Sequence, residues 1–297
     1  MKDLLLITIL SAFIFSCTKP VEFELPLYDD KPVVNCLFTP EEVFMVHVGK
    51  TASQFDTMLV NVNNALVEIY QGEEFLAEIS SIGDGFYSDS TLFPEIGKSY
   101  TLKVNVPGYD EVSATDSVPS TFSEFTYKGF KEDVWFDEDG EGYNALTFEI
   151  DDQEADNFFE VLFRANYSRY DSWNDSIRHY FLMTHFRLFN PMAEAGQGLA
   201  VFTDQQFNGS KYTLQLMSGS DNGHWHADSL NLNVQVLQGS RNFYTYRTTL
   251  FKHQYAQYSD FFEPTEPVIM YSNIENGYGI FAAYRSKFYP LIFTDSE

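Results

Sequence analysis

Apolar and polar residues follow one another along this chain in three rhythms. The first is a single block, Leu4 to Phe15, apolar almost throughout, preceded by Lys2 and followed by Ser16-Cys17. The second fills Lys31 to Pro119: short runs rich in Val, Ile, Phe and Tyr at Val33–Phe38, Val43–Val48, Ala65–Tyr70, Phe75–Ile79, Tyr100–Val106 and Val112–Ala114. These are strand-type compositions. In Tyr100-Thr101-Leu102-Lys103-Val104-Asn105-Val106 the alternation is strict, which predicts a strand buried on one face. Turn formers separate the runs: Gln71-Gly72, Gly83-Asp84-Gly85, Glu95-Ile96-Gly97 and Pro107-Gly108. Strands at a spacing of about 8–12 residues predict an immunoglobulin-like β-sandwich over 31–119, without that fold's usual cysteine pair.

Val118-Pro119-Ser120-Thr121 reads as a domain boundary. Beyond it, 120–297 is predicted to be a second β-rich domain, more aromatic than the first. Its strand candidates are Ala145–Ile150, Phe158–Tyr167, Tyr180–Phe189, Lys211–Met217 and Asn231–Leu237. The third rhythm interrupts them. After Ser240, a natural N-cap, Phe243, Tyr246, Arg247, Leu250 and Phe251 recur at helical spacing, which predicts one helix near 241–257. Gly277 to Tyr284 then reads as a glycine-led buried strand, with Asn276-Gly277 as its turn. The predicted fold class is mainly β, a sandwich followed by a second β domain carrying a single helix.

The block at Leu4–Phe15 is too short for a bilayer core of about 30 Å at about 1.5 Å per helical residue. It has the length of a signal-peptide core. Ile14-Phe15-Ser16-Cys17 resembles a bacterial lipobox, so residues 1–16 are expected to be a lipoprotein signal peptide and Cys17 the lipidated residue. Residues 17–30 then form a tether, in which Lys19, Glu22 and Glu24 loosely resemble a surface-export signal. An ordinary signal peptide with a coincidental cysteine is the competing reading. With Cys17 acylated, Cys36 has no intrachain partner, and its strand-like surroundings predict a buried inert thiol.

Charge narrows the partners. There are 18 Lys+Arg against 43 Asp+Glu, a net of -25. A surface so acidic lacks the basic footprint that nucleic acid or anionic lipid requires. Disorder is excluded as well, because 44% of residues are hydrophobic and 17% aromatic. Membrane affinity is therefore assigned to the lipid on Cys17.

Candidate chemistry is sparse. Asp137, Asp139 and Glu141, with Gly140 between them, have the alternation of a Ca²⁺ loop, but Phe148 stands where an EF-type loop needs its closing Glu. The competing reading is an acidic hairpin tip, and no other cofactor is expected. His224-Trp225-His226 offers two imidazoles, fewer ligands than a zinc site needs. No nucleophile elbow, His-Glu-x-x-His or phosphate-cradling glycine loop occurs. Tyr167, Tyr170 and Trp173 are expected in a polar loop, where rings suit a sugar or a protein partner. The triplets around Thr57, Ser90, Ser117, Ser176 and Ser229, each preceded by Asp, look like an O-glycosylation signal of exported Bacteroidota proteins. Asp-Ser also simply marks turns.

Several segments together resemble a known family. Lys31-Pro-Val-Val-Asn-Cys-Leu-Phe-Thr-Pro40, Asn64-Ala-Leu-Val-Glu-Ile-Tyr70, Gly85-Phe-Tyr-Ser88, Phe202-Thr-Asp-Gln-Gln-Phe-Asn-Gly209 and Pro267 to Phe281 are similar to the Bacteroidota lipoprotein family called domain of unknown function 4249. Ser272-Asn-Ile-Glu-Asn-Gly277 is the most specific of these. The resemblance implies no catalytic residues. It implies a neighbourhood, since such lipoproteins are commonly encoded beside TonB-dependent outer-membrane transporters. The expected function is a non-enzymatic lipoprotein, anchored at the outer membrane with the cell-surface face favoured, serving such a transporter as an accessory or binding component. The alternatives are a surface glycan-binding module and a hydrolase with an unrecognised carboxylate site.

Overall fold

The computed structural model describes residues 30–52, 60–136, 140, 142–171, 176–185, 187–188, 200–219, 231–257, 266 and 268–290. The chain is mainly β, with one helix among the described residues. The N-terminal sandwich holds β1 (Pro32–Phe38), β2 (Met45–Lys50), β3 (Val60–Asn61), β4 (Leu66–Gln71), β5 (Glu74–Gly83), β6 (Phe86–Ser88), β7 (Ser99–Asn105) and β8 (Val112–Ser117). In β7, Tyr100, Leu102 and Val104 are buried and their neighbours are not, as the alternation predicts. The strand β5 is long enough to pair with β6 in one layer and β4 in the other. Between the layers, Phe38, Phe44 and Tyr100 form a ring cluster, with Tyr100 edge-on to both phenylalanines.

The C-terminal sandwich follows with β9 (Glu124–Phe136), β10 (Gly142–Asp151), β11 (Phe158–Asp171), β12 (Ser176–His185), β13 (Arg187–Leu188), β14 (Val201–Thr203), β15 (Lys211–Gly219), β16 (Asn231–Gly239), α1 (Arg241–Ala256) and β17 (Tyr278–Pro290). One layer runs β13-β15-β10-β9 and the other contains β12-β11-β16-β17. Phe148, Ile150, Phe159, Val161, Leu214, Leu216, Val234 and Val236 fill the space between them. Each such side chain, fully buried, stabilises the fold by about 1.5–3 kcal/mol. The strand β9 is absent from the sequence-based expectation. Gly129 breaks its alternation at φ 145°, where the register against β10 shifts, and a second shift follows between Lys131 and Trp135.

Ser240 caps α1 as expected, accepting a hydrogen bond from the Phe243 N–H at 3.1 Å. The helix lies on the outer face of β11, β16 and β17. Phe243 packs with Leu162, Leu237, Ile280 and Ala282, while Tyr244 and Phe251 pack with Phe158 and Val201. Of the expected stripe, Phe243 and Phe251 are buried while Tyr246, Arg247 and Leu250 are only half-buried, and Tyr244 and Thr248 are buried in their place, because the helix seats two flanks rather than one narrow edge. This cover also accounts for the unalternating run at Phe158–Phe163: with a core on one side and a helix on the other, both faces are buried.

The last strand joins the two halves. From Tyr278 to Ala283, β17 runs parallel to β1 of the first sandwich, and from Tyr284 to Pro290 it runs antiparallel to β16 of the second. One thirteen-stranded sheet thus passes through both. Phe281 stacks on Phe38 at 4.5 Å in the first core, and Tyr289 lies beside Phe148 at 6.0 Å in the second. Gly279 makes the entry possible. Its φ is 114°, and a Cβ there would stand 2.0 Å from the Val34 carbonyl oxygen.

Candidate functional site

The polar residues that the fold brings together lie along the seam between the sandwiches. Closing β8, Asp116 is buried, and its Oδ2 accepts from the Ala283 N–H at 2.8 Å and from the Ser240 hydroxyl. Ser240 in turn donates its backbone N–H to the Ala283 carbonyl at 2.9 Å. One carboxylate therefore touches the first sandwich, the bridging strand and the helix cap. Burial pushes its carboxyl above the usual carboxylate range, with the surrounding donors pulling it back down.

A second cluster sits where the linker enters β9. Asp152 accepts from the Ser123 hydroxyl at 2.7 Å and from the Gly209 N–H at 3.0 Å. Asp204 accepts from the Asn157 backbone N–H at 2.9 Å and its amide at 3.0 Å. Gln238 locks the Asn157 amide by donating to its Oδ1 while accepting from the Ser123 N–H at 2.9 Å. Both carboxylates are buried. Burial, with the Asp152 charge nearby, raises the Asp204 carboxyl above its ordinary value. Under the helix, Glu160 is fully buried and receives Arg247 in a two-pronged pair, with Nε to Oε2 at 2.8 Å. These carboxylates are engaged by the protein's own donors, so the clusters brace the architecture.

The sequence pattern marks Ser240 as a cap and Arg247 as part of the helical stripe, but it marks none of these carboxylates as a site. A signal existed for one: Glu160 interrupts the apolar run Phe158-Phe159-Glu160-Val161-Leu162-Phe163, and an acid in such a run needs a buried partner. Asp116 was noticed only as the first residue of a triplet.

Of the residues predicted from sequence, Cys17, Thr57, Asp137, Asp139, Glu141, Trp173, Ser229 and the His224–His226 pair lie outside the described residues. Tyr167 and Tyr170 fall not on a loop but on β11, which extends to Asp171 because β12 pairs with it, with Tyr180 and Ile177 as their backbone partners, and Ser176 opens β12. Ser90 is exposed in the turn between β6 and β7, and Ser117 is exposed at the end of β8. Asp89 makes a local turn, accepting from the Thr91 N–H at 2.8 Å and its hydroxyl at 2.7 Å. Those two donors hold its carboxyl below the usual range. Cys36 is buried in β1, and burial pushes its thiol up to about 12. Among the described residues, no group of three or more His, Cys, Asp and Glu side chains could hold a metal ion, and no helix is long and apolar enough to cross a membrane.

Fold and seam together define a double β-sandwich protein braced by buried carboxylates and closed by one shared strand. Residues 18–288 match the family described as Domain of unknown function (DUF4249), and the chain belongs to it. No curated protein matches the chain.

Proposed function

We propose that this protein is a lipoprotein anchored through Cys17 at the outer membrane, acting as a non-catalytic binding component beside a TonB-dependent transporter. The observation that carries the anchor is positional: the family match begins at residue 18, directly after Ile14-Phe15-Ser16-Cys17, and leaves the apolar Leu4–Phe15 block outside it. The burial of Cys36 as a free thiol fits a Cys17 that is acylated rather than disulfide-bonded. A protein partner is favoured by the outer side of the β1–β2–β6 layer, where Leu37, Met45 and Phe86 are exposed opposite the core, with the exposed acids Glu41 and Glu42 nearby in sequence. Lys50 and Lys103 lie over the Tyr109 and Tyr70 rings at 4.4 and 4.8 Å.

Two measurements test this. Wild-type chain should incorporate labelled palmitate and fractionate with outer membranes, and Cys17→Ser should do neither. Affinity purification of the anchored protein should recover an outer-membrane β-barrel, and Met45→Glu should diminish that recovery. Palmitate labelling that survives Cys17→Ser would sink the anchor, and purification that never yields a barrel would sink the partner.

A further inference from the structure

Asp116 occupies an unusual position for an acid. Its side chain leaves the last strand of the first sandwich and ends among groups from β17, α1 and the segment before β17. From β17 comes the Ala283 N–H, from the helix cap the Ser240 hydroxyl, from α1 the Asn242 side chain, and from β8 itself the Ser117 N–H. The titratable group facing it is the Tyr271 hydroxyl, which donates to Asn242 Oδ1 at 2.7 Å. Nearby cations on the same elements are held elsewhere: Arg241 pairs with Asp156 at 2.9 Å, and Arg285 lies over Phe122 at 5.4 Å. The carboxylate is thus buried among dipoles, with no ion pair among the described residues to offset its charge.

We propose that Asp116 is a proton-responsive latch between the two sandwiches: protonated, it holds β8 to Ser240 and β17, and on ionising it is drawn towards water and loosens that seam. Oδ2 needs no charge to do its part. A carbonyl oxygen accepts two hydrogen bonds, so a proton on Oδ1 leaves the bonds from Ala283 and Ser240 in place. Ionisation adds a desolvation cost that an open seam would remove, and linkage sets the direction. Because burial raises the carboxyl in the closed state, proton binding favours closure, and closure weakens as pH rises through the raised value. Ser240 transmits the change, since the same hydroxyl oxygen caps α1.

Amide hydrogen exchange on the mature chain tests the latch, corrected for intrinsic rates. As pH rises from about 4, near the ordinary carboxyl value, to about 8, protection at Ala283 and at Phe243 should fall roughly fivefold or more in wild type. In Asp116→Asn, which keeps the carbonyl oxygen and cannot ionise, it should stay level. Parallel profiles in the two proteins, or wild-type protection that rises with pH, overturn the proposal. Should Asp116→Asn fail to fold, wild type alone decides by NMR. The Asp116 carboxyl and the Ala283 and Phe243 amides must then titrate at one shared midpoint above the usual carboxylate range, and separate midpoints overturn it.

Discussion

At the residue scale, the most exacting contact is the one between Glu160 and Arg247. A carboxylate placed in the middle of an apolar strand is tolerable only because a guanidinium from α1 reaches it with two bonds. Removing one partner strands a buried charge, so Arg247→Met should cost about 3–5 kcal/mol of stability in urea unfolding. Glu160→Met with Arg247→Met should recover most of that loss, since an apolar pair leaves no charge behind. Asp204 supports a different measurement. Its carboxyl is raised by burial, so its share of stability is complete below the unfolded-state value and declines as pH rises through the folded-state value. The stability difference between wild type and Asp204→Asn should therefore drift against wild type as pH rises, and a difference independent of pH would refute the assignment.

Among the elements, β17 sets the strictest local requirement. Gly279 must adopt a positive φ and let the Val34 carbonyl approach to a distance no Cβ permits. Gly279→Ala should cost about 1–3 kcal/mol from backbone strain, and more once β1 has to move. Gly108 separates the two effects, since its φ is 90° but nothing stands within 4 Å of a Cβ there. Gly108→Ala should be the milder substitution in the same denaturation assay, and equal losses would show that the contact with β1 is unimportant. The legibility of elements follows the same physics. The strand β7 was plain because one face meets a core and the other water. The strand β9 was not, because the bulge at Gly129 shifts which face each residue takes.

For the whole molecule, the consequence of a shared strand is cooperativity. Phe281 serves the first core and Tyr289 the second, on one continuous backbone. Phe281→Ala should destabilise by about 3–5 kcal/mol. More tellingly, calorimetry of that variant and of wild type should show one transition rather than two. Residues 31–119 expressed alone should lack a stable fold, since the strand that completes their sheet lies more than 150 residues further along. A soluble, cooperatively melting 31–119 fragment would contradict this coupling.

Periodicity, turn residues and capping chemistry are local, and so the sequence by itself determined the β class, the alternating strands such as β7, and the helix that starts after Ser240. The glycine-led run from Gly277 to Tyr284 marked a buried strand, though not its neighbours. The tertiary structure alone decided that β17 divides itself between two sandwiches, that a helix covers Glu160 and so demands Arg247, and that Asp116 turns inward while Ser117 faces water. These outcomes depend on partners far away in the chain, and no local pattern encodes which distant donor a carboxylate will meet. The acidic balance belongs to both accounts. Composition established its size, and folding drew several of its carboxylates into the seams that hold the molecule together.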